Sequence, residues 1–272
     1  MRSLGELHPL SVFCYFAGVM SVSMLSLHPA LIILSLLGCL TLLLLHNQVK
    51  ARTLAASLGL FTALTLLNPL FYHDGITVLF VINDRPFTLE ALLYGAAAAG
   101  MILSMVGWFR LLSRALTSDR LLYLLGRLSP RLALMVSMAL RFVPAFARQG
   151  QRIHQAQQGL GLYRGDNAPD ALRSRIREFS ILTTWALENG IVTADSMAAR
   201  GYGTGRRTSY AIFRFTRVDA LFMLFSLALT AVTLTAILSS ALKFDYYPAL
   251  TLPADTLLAR AGLCAYGVLC LL

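Results

Sequence analysis

Charged residues are scarce in this sequence. Only 13% of its 272 residues are Asp, Glu, Lys or Arg, 57% are hydrophobic, and the mean hydropathy is +0.68. A typical soluble domain carries about 25% charged residues, so the composition excludes an ordinary soluble globular protein. Acids are the scarcer sign, with 13 Asp and Glu against 23 Lys and Arg. The composition therefore predicts a basic membrane protein.

Motifs for catalysis and nucleotide binding are also missing. No G-x-x-x-x-G-K-[ST] sequence occurs, and the glycine-rich run 201–205 does not fit GxGxxG, because Arg206 takes the third glycine position. The five His residues lie apart from Cys and carboxylates, and the four Cys residues lie in apolar runs without a CxxC pair. We therefore expect no catalytic, cofactor or metal site on this chain, and cysteines that act as small hydrophobic residues.

Long hydrophobic runs, in contrast, recur along the chain. A helix crosses a bilayer with about 20 apolar residues, and backbone polar groups in hydrocarbon must be satisfied internally. The sequence thus predicts an all-α polytopic helical membrane protein, with no cleavable signal peptide and with its first two spans separated at His28-Pro29. The predicted spans are 10–27, 29–45, 54–72, 88–109, 219–242 and 254–272.

The bases are concentrated in one block. Residues 110–217 hold 17 of the 23 Lys and Arg with six acids, a net charge of +11, against −1 for the rest of the chain. Because Lys and Arg favour the cytoplasmic side, we expect this block and the N-terminus in the cytoplasm, and the loops 73–87 and 243–255 outside. The predicted divisions are 1–109 (N-terminal transmembrane helices), 110–217 (cytoplasmic or interfacial coupling module) and 218–272 (C-terminal transmembrane helices).

Two long helical arms are predicted inside the basic block. The first begins at Ser129-Pro130 and stops at 159–161, and the second begins after Asp166-Asn167 and ends near Gly201. Residues 132–147 of the first are apolar but only 16 long. This is short for a span, so we expect a helix buried against protein or lying at the membrane face.

The end of the second arm is rich in small residues. At 100° per residue, Ala194, Ala198 and Gly201 fall on one narrow face, which would let another backbone approach closely. Arg200 beside this face could reach an acidic partner. An ordinary glycine-capped helix end with a base near the dipole would have the same sequence. The presence of a second Gly-ended arm in the same basic block favours docking on another protein.

Other functions remain open at this point. The basic block lacks interleaved aromatic residues, which excludes a nucleic-acid partner of the common types, and many of its arginines would contact anionic lipid. A membrane-embedded enzyme acting on an anionic lipid would suit the bases, but no nucleophile, base or metal cluster accompanies them. A conventional ABC permease would need polar residues along its spans, and those are scarce.

Six segments in order carry a family resemblance. The chain resembles the transmembrane (T) component of energy-coupling factor (ECF) transporters, a branch of the ATP-binding-cassette importers. The segments are NPLF (68–71), TLEALLYG (88–95), LLYLLGRL (121–128), SMALRFVP (137–144), AQ (156–157) and SMAARGYG (196–203).

The resemblance implies a multi-pass scaffold in the plasma membrane of a prokaryote, not an enzyme. It implies that two arm tips dock on two ABC-type ATPase subunits, which bind the ATP and Mg, and that a small hydrophobic membrane subunit binds a vitamin or metal ion. The second tip matches the family's Ala-Arg-Gly motif. The first has Leu160 in place of Arg, so Gln157 or Gln158 with Arg152, or else Arg164, would supply its polar contacts.

The residues implicated by the resemblance form two sets. The ATPase-docking set is Ala156, Gln157, Gly159, Gly161, Ser196, Ala198, Ala199, Arg200 and Gly201. The set expected to contact the substrate-binding subunit is Leu134, Met135, Met138, Phe142, Phe179, Leu182 and Trp185.

Overall fold

The computed structural model is almost entirely helical and divides into two compact units. The first, the bundle unit, contains the described residues up to Arg120 and from Phe213 onward, and the second, the arm unit, contains those between Leu121 and Ile212. The residues that the structure describes are 7–45, 51–71, 77–82, 85–162, 168–202, 204, 213–247 and 256–272. The architecture confirms the predicted all-α polytopic class.

Six helices and a hairpin make up the described part of the bundle unit. In chain order they are α1 (Pro9–Leu25), α2 (Pro29–Leu45), α3 (Ala51–Phe71), β1 (Val78–Ile82), β2 (Arg85–Thr88), α4 (Leu89–Ala115), α8 (Arg217–Leu238) and α9 (Leu257–Leu271). The arm unit contains α5 (Ser118–Leu128), whose first residues lie in the bundle unit, α6 (Pro130–Gly159) and α7 (Ala168–Ala199).

A His-Pro pair starts each of the first two helices. Pro9 and Pro29 occupy the first helical positions, where a missing N–H costs no hydrogen bond. The ring Nδ1 atoms of His8 and His28 accept from the backbone N–H two residues ahead, each at 3.2 Å. The break predicted between the first two spans is therefore made by proline geometry and a histidine cap.

The core of the bundle unit is aromatic. Trp108 of α4 is fully buried and packs edge-on against Tyr15 and Phe16 of α1, at centroid distances of 6.4 and 6.2 Å. Its indole Nε1 donates to Ser35 Oγ of α2 at 2.9 Å. One residue thus ties three helices together, with its polar atom satisfied.

Small residues let these helices approach closely, as is common between membrane helices. A Cβ on Gly38 of α2 would lie 2.6 Å from Cys270 Cβ of α9, and a Cβ on Gly18 of α1 would lie 2.6 Å from Thr230 Oγ1 of α8. Both distances are below ordinary van der Waals contact, so these positions require glycine.

Among the described residues, four helices are long and apolar enough to cross a membrane by length and composition. They are α3, α4, α6 and α8, while α1, α2 and α9 are apolar helices of 15 to 17 residues. None of residues 132–147 is buried within this chain, so the expected burial against protein does not occur here, and a position at the membrane face stays a prediction. The helix that contains them runs for 30 residues, over the range predicted for the first arm.

The predicted outer loop 73–87 contains regular structure. Strands β1 and β2 pair antiparallel, with Phe80 opposite Phe87 and Val78 opposite Thr88. The run of β-branched and aromatic residues from Val78 to Ile82 is typical of a strand, and this signal went unused in the prediction of a loop. The hairpin leads directly into α4, where Glu90 accepts from the Thr77 hydroxyl at 2.7 Å.

Candidate docking site

The C-terminus of α6 ends in a Schellman motif. Gly161 N–H donates to the Gln158 carbonyl at 3.0 Å, and Leu162 N–H donates to the Gln157 carbonyl at 3.1 Å. Gly161 has φ +67°, the left-handed conformation that this motif needs and that glycine adopts without steric cost. The glycine stop predicted at 159–161 is therefore confirmed, with Gly161 as the capping residue.

The C-terminus of α7 ends in the same motif. Gly201 N–H donates to the Ala198 carbonyl at 3.0 Å, and Tyr202 N–H donates to the Met197 carbonyl at 3.1 Å, with Gly201 at φ +76°. The two ends correspond residue by residue, so that Leu160 takes the place of Arg200. The two caps therefore match, and they differ at this position, where the first has Leu160 and the second has the Arg of the family motif.

The structure corrects the predicted small-residue face of α7. Gly201 lies beyond the helix, which ends at Ala199, and its left-handed φ turns the chain away from the helical path. It therefore does not continue the face of Ala194 and Ala198. Those two residues, four apart, remain on one side of the last turns and are exposed.

Eight of the nine predicted docking residues are exposed, and Gln157 is the exception. Arg200 is exposed and forms no ion pair with any residue that the structure describes. A solvated guanidinium in that state can reach a carboxylate of another chain bidentately. The exposed residues are Ala156, Gly159, Gly161, Ser196, Ala198, Ala199, Arg200 and Gly201.

Gln157 is the ninth residue, and it faces inward. Its side chain is 4% exposed, and neither Oε1 nor Nε2 has a hydrogen-bond partner among the residues that the structure describes. It shares a face of α6 with buried Ile153, four residues earlier. In this conformation Gln157 does not present its amide to another chain. Gln158 and Arg152 are exposed, and Arg164 lies outside the described residues.

The two arms run antiparallel where they touch. Phe146 packs edge-on against Trp185 at 5.8 Å, His154 Nδ1 lies 2.6 Å from Glu178 Oε1, and Ser174 Oγ donates to the Leu162 carbonyl at 3.4 Å. The first tip is therefore held beside the beginning of α7. From Ser174 to Arg200 the helical rise places the second tip about 39 Å away.

The pair of His154 and Glu178 was missed by sequence reasoning. His154 was considered to stand apart from any carboxylate, but the two residues lie on different arms, 24 positions apart, and meet across them. Arg175 Nη1 lies 3.7 Å from the other oxygen of Glu178. A side-chain hydrogen bond thus joins α6 to α7 one to two turns before the first tip.

The residues expected to contact a substrate-binding subunit fall into two groups. Phe142 stacks on Phe146 at 5.7 Å and Trp185 packs on the same ring, so these side chains also hold the arms together. Met135 and Phe179 are 64% and 70% exposed and offer apolar surface outward. Leu134, Met138, Phe142, Leu182 and Trp185 are partly exposed.

Two of the segments that carried the resemblance meet in the bundle unit. Asn68 Nδ2 of α3 donates to the Ala91 carbonyl of α4 at 2.7 Å, and a Cβ on Gly95 would lie 2.9 Å from the Thr65 carbonyl oxygen. These residues join α3 to α4 and have a structural role. Within the described residues, no group of three or more His, Cys, Asp or Glu is placed to hold a metal ion.

Comparison with known proteins identifies related chains. The family model described as "CbiQ: Cobalt transport protein" matches residues 3–210, more than half of the chain. The "Uncharacterized protein MG181" of Mycoplasma genitalium is 30% identical over 162 residues, covering 54% of this chain and 39% of that protein. Its homologue in Mycoplasma pneumoniae is 30% identical over 167 residues, covering 57% and 36%. The chain thus spans about two fifths of the length of the curated relatives it matches.

Proposed function

Because the chain belongs to the cobalt transport protein family CbiQ, the family of the T components of ECF transporters, we propose that it is the energy-coupling scaffold of an ECF-type importer. The family consists of transporter membrane components and not of enzymes. In the proposed role, the chain carries motion from two ABC-type ATPase subunits to a separate substrate-binding membrane subunit. The ATPases, and not this chain, bind ATP and Mg.

The observation that carries this proposal is the pair of matching helix ends. α6 and α7 are the two long helices of the arm unit, and both end in a Schellman motif with an exposed left-handed glycine. Two equivalent tips suit two related partner subunits. The motif pins the last turn with backbone hydrogen bonds, so a force applied at the tip passes into the helix without first unwinding it.

The difference between the tips supports binding to two different partner surfaces. Arg200 offers a charged group to its partner, whereas Leu160, which is 72% exposed, offers an apolar one at the equivalent position. We infer that the two ATPase grooves differ accordingly, with an acidic residue facing Arg200 and an apolar surface facing Leu160. A pair of different ATPase subunits fits this better than two identical copies.

The exposed apolar surface of the arms supports the second interface. Leu132, Met135 and Leu140 of α6 and Phe179 and Leu187 of α7 are 42–70% exposed. Met side chains adapt to changing partners. We propose that a small hydrophobic subunit packs here and is tilted when the ATPases bind ATP and approach each other. The family description names cobalt, and a metal ion or a vitamin is the proposed cargo.

Neither alternative function gains support. A membrane-embedded enzyme that forms a covalent intermediate would need a nucleophile beside its general base. The described residues that line the pocket around His154 and Glu178 include no Ser, Thr or Cys. A conventional permease would carry its substrate along polar residues within its spans. The buried hydroxyl groups of Ser226, Thr230 and Thr233 in α8 instead donate to carbonyls of their own helix.

The test is capture of the partner subunits. Affinity purification of the chain from native membranes, followed by mass spectrometry, should recover two ATPase chains and a small hydrophobic subunit. Arg200→Glu should reduce ATPase recovery at least about tenfold, because a buried charge pair becomes a repulsion. Arg148→Glu is the matched control: it makes the same charge change at an exposed arginine of α6, 11 residues before Gly159 and so about 17 Å from the first tip.

Recovery of the ATPases with Arg200→Glu at the level of the unsubstituted chain would contradict the docking role of the second tip. Leu160→Glu provides the corresponding test of the first tip, with an exposed residue whose loss removes no internal contact. Failure of both variants to change recovery, or recovery of no ATPase with the unsubstituted chain, would overturn the proposed function as a whole.

A further inference from the structure

A groove runs between α2 and α3 in the bundle unit, with α4 as its floor. Both helices pack on α4. One pocket of about 180 Å³ lies at the end of the groove near Arg110, and a second of about 400 Å³ continues from it, with Leu36 in both. The α4 residues that line the two pockets extend from Leu93 to Arg110, about 26 Å of helix.

The walls of the groove are apolar except at one end. Leu36, Leu40 and Leu43 of α2 face Leu54 of α3 in the first pocket, and the second pocket has almost no polar lining. The polar groups of the groove are concentrated where Thr53 and Ser57 of α3 and Arg110 of α4 line the first pocket. The groove therefore combines a long apolar channel with a cationic, hydroxyl-bearing mouth.

Arg110 brings an unbalanced positive charge to this mouth. It is half-buried and forms no ion pair with any residue within the described ranges. A guanidinium stays protonated at every physiological pH and matches phosphate oxygens bidentately. A half-buried arginine beside two hydroxyl groups and without a carboxylate is complementary to an anion from outside the chain.

The position of Arg110 along α4 matches the boundary of a membrane. It lies 21 residues beyond Leu89, the first residue of the helix, so the rise between them is about 31 Å, the thickness of a bilayer's hydrocarbon core. α4 is one of the helices long and apolar enough to cross. When α4 crosses, Arg110 is at the level of the lipid phosphates, and the groove lies at the level of the acyl chains.

The polarity and length of the groove suit a lipid, because its mouth is cationic and its walls are apolar. Half of the hydrocarbon core is about 15 Å, which is the distance along α4 from Arg110 to Gly100.

From these observations we propose that the groove is a specific glycerophospholipid site. The phosphate binds Arg110 and the Thr53 hydroxyl group, since the Ser57 hydroxyl already donates to the Leu54 carbonyl, and one acyl chain lies between α2 and α3 toward Gly100. The lipid fills the space that the two helices leave open, so it would hold α3, whose described contacts are with α4 and β2, at its position in the bundle. This site does not depend on the proposed coupling role.

Native mass spectrometry of the full chain in mild detergent tests the site, with phosphatidylglycerol as the probe. One phosphatidylglycerol should remain bound per chain. Arg110→Ala should lower its retention about tenfold, since a charge-assisted hydrogen bond to phosphate is lost. Arg217→Ala, at an exposed arginine at the start of α8, whose described contacts are with α1 and α9, is the matched control and should retain lipid as the unsubstituted chain does.

A second pair of variants tests the channel without touching the charge. Ser57→Trp should fill the groove and displace the lipid, whereas Thr62→Trp, on the exposed side of α3, should not. Diacylglycerol, which has the chains without the phosphate, should bind at least about tenfold more weakly than phosphatidylglycerol.

Three results would overturn the site: equal retention by Arg110→Ala, equal binding of diacylglycerol, or cross-linking of the Ser57→Cys variant to a partner's helix in native membranes. The last result would mean that the groove holds protein.

Discussion

The bundle unit and the arm unit bury their side chains very differently. The bundle unit contains fully buried aromatic residues such as Trp108, Tyr15 and Tyr266, with glycines at the closest helix contacts. In the described part of the arm unit, Ile153 is the one hydrophobic residue that is buried. Yet α6 and α7 are longer than any bundle helix. The comparison indicates that the bundle is held together by its own packing, whereas the arms are built to be covered by lipid or by other chains.

The largest expected effect is the difference in stability loss between alanine substitutions of two tryptophans, one in each unit. Trp108→Ala in the bundle should lower the free energy of unfolding by about 3–5 kcal/mol, because it opens a cavity among three helices and orphans Ser35. Trp185→Ala in the arms should cost only about 1 kcal/mol, because that ring is partly exposed and chiefly loses its contact with Phe146. Unfolding by SDS titration in mixed micelles, followed by circular dichroism, measures both; equal losses would contradict the comparison.

Two glycine-to-alanine substitutions should change the free energy of unfolding in opposite directions. Gly38→Ala should destabilise the chain by about 1–3 kcal/mol, since its Cβ would meet Cys270 Cβ at 2.6 Å and the Cys270 carbonyl at 3.0 Å. Gly190→Ala, in the middle of α7 with no atom within 4 Å of the new Cβ, should stabilise by up to about 1 kcal/mol through helix propensity. The SDS titration described above measures both changes in the free energy of unfolding. A destabilising Gly190→Ala would show that the arms pack more tightly than described.

The capping glycines should show a local effect. Gly201→Ala forces a side chain into the left-handed region and should cost about 1–2 kcal/mol, felt mainly at the end of α7. Hydrogen exchange of the backbone amides at residues 200–202 should speed up while the bundle is unchanged. Gly159→Ala, inside the last turn of α6 with open space around it, is the control. Unchanged exchange in Gly201→Ala would mean that the cap is not needed to hold this tip.

The smallest effect should come from the polar link between the arms. The side chains of His154 and Glu178 are 30% and 13% exposed, so water screens their attraction, and a coupling energy of about 0.5–1 kcal/mol is expected. A double-mutant cycle of His154→Ala and Glu178→Ala measures it. The cycle of Arg175→Ala with Glu178→Ala, a 3.7 Å pair with a largely exposed arginine, should give less. A coupling energy indistinguishable from zero for His154 with Glu178 would show that the aromatic contacts alone align the arms.

The helices of this chain were largely predictable because their limits are local. His28-Pro29 separates two helices in any context that permits them, and Gly161 and Gly201 end helices because only glycine adopts the required φ freely. Helix ends differed from the predicted limits by a few residues, for instance at Ala115 where the sequence indicated 109. Composition alone was sufficient for the membrane class.

The contacts between elements could not be predicted in the same way. Nothing near His154 in sequence indicates that Glu178 will face it, since the register of two antiparallel helices depends on packing along their whole contact. The same register decides that Gln157 points inward. The docking residues themselves remain a prediction, supported by exposure and geometry.

The rigid length of α7 has a consequence for how this protein could move. The first tip is fastened beside Ser174 and the second follows Ala199, so one continuous helix connects the two ends. A helix resists stretching. Partners that pull unequally on its two ends would therefore tilt it as a rigid rod and leave its length unchanged. Phe179 and Leu187 lie along the span between those ends. A subunit bound on them would turn through the same angle as the helix, and its displacement would depend on how far along the helix it is bound.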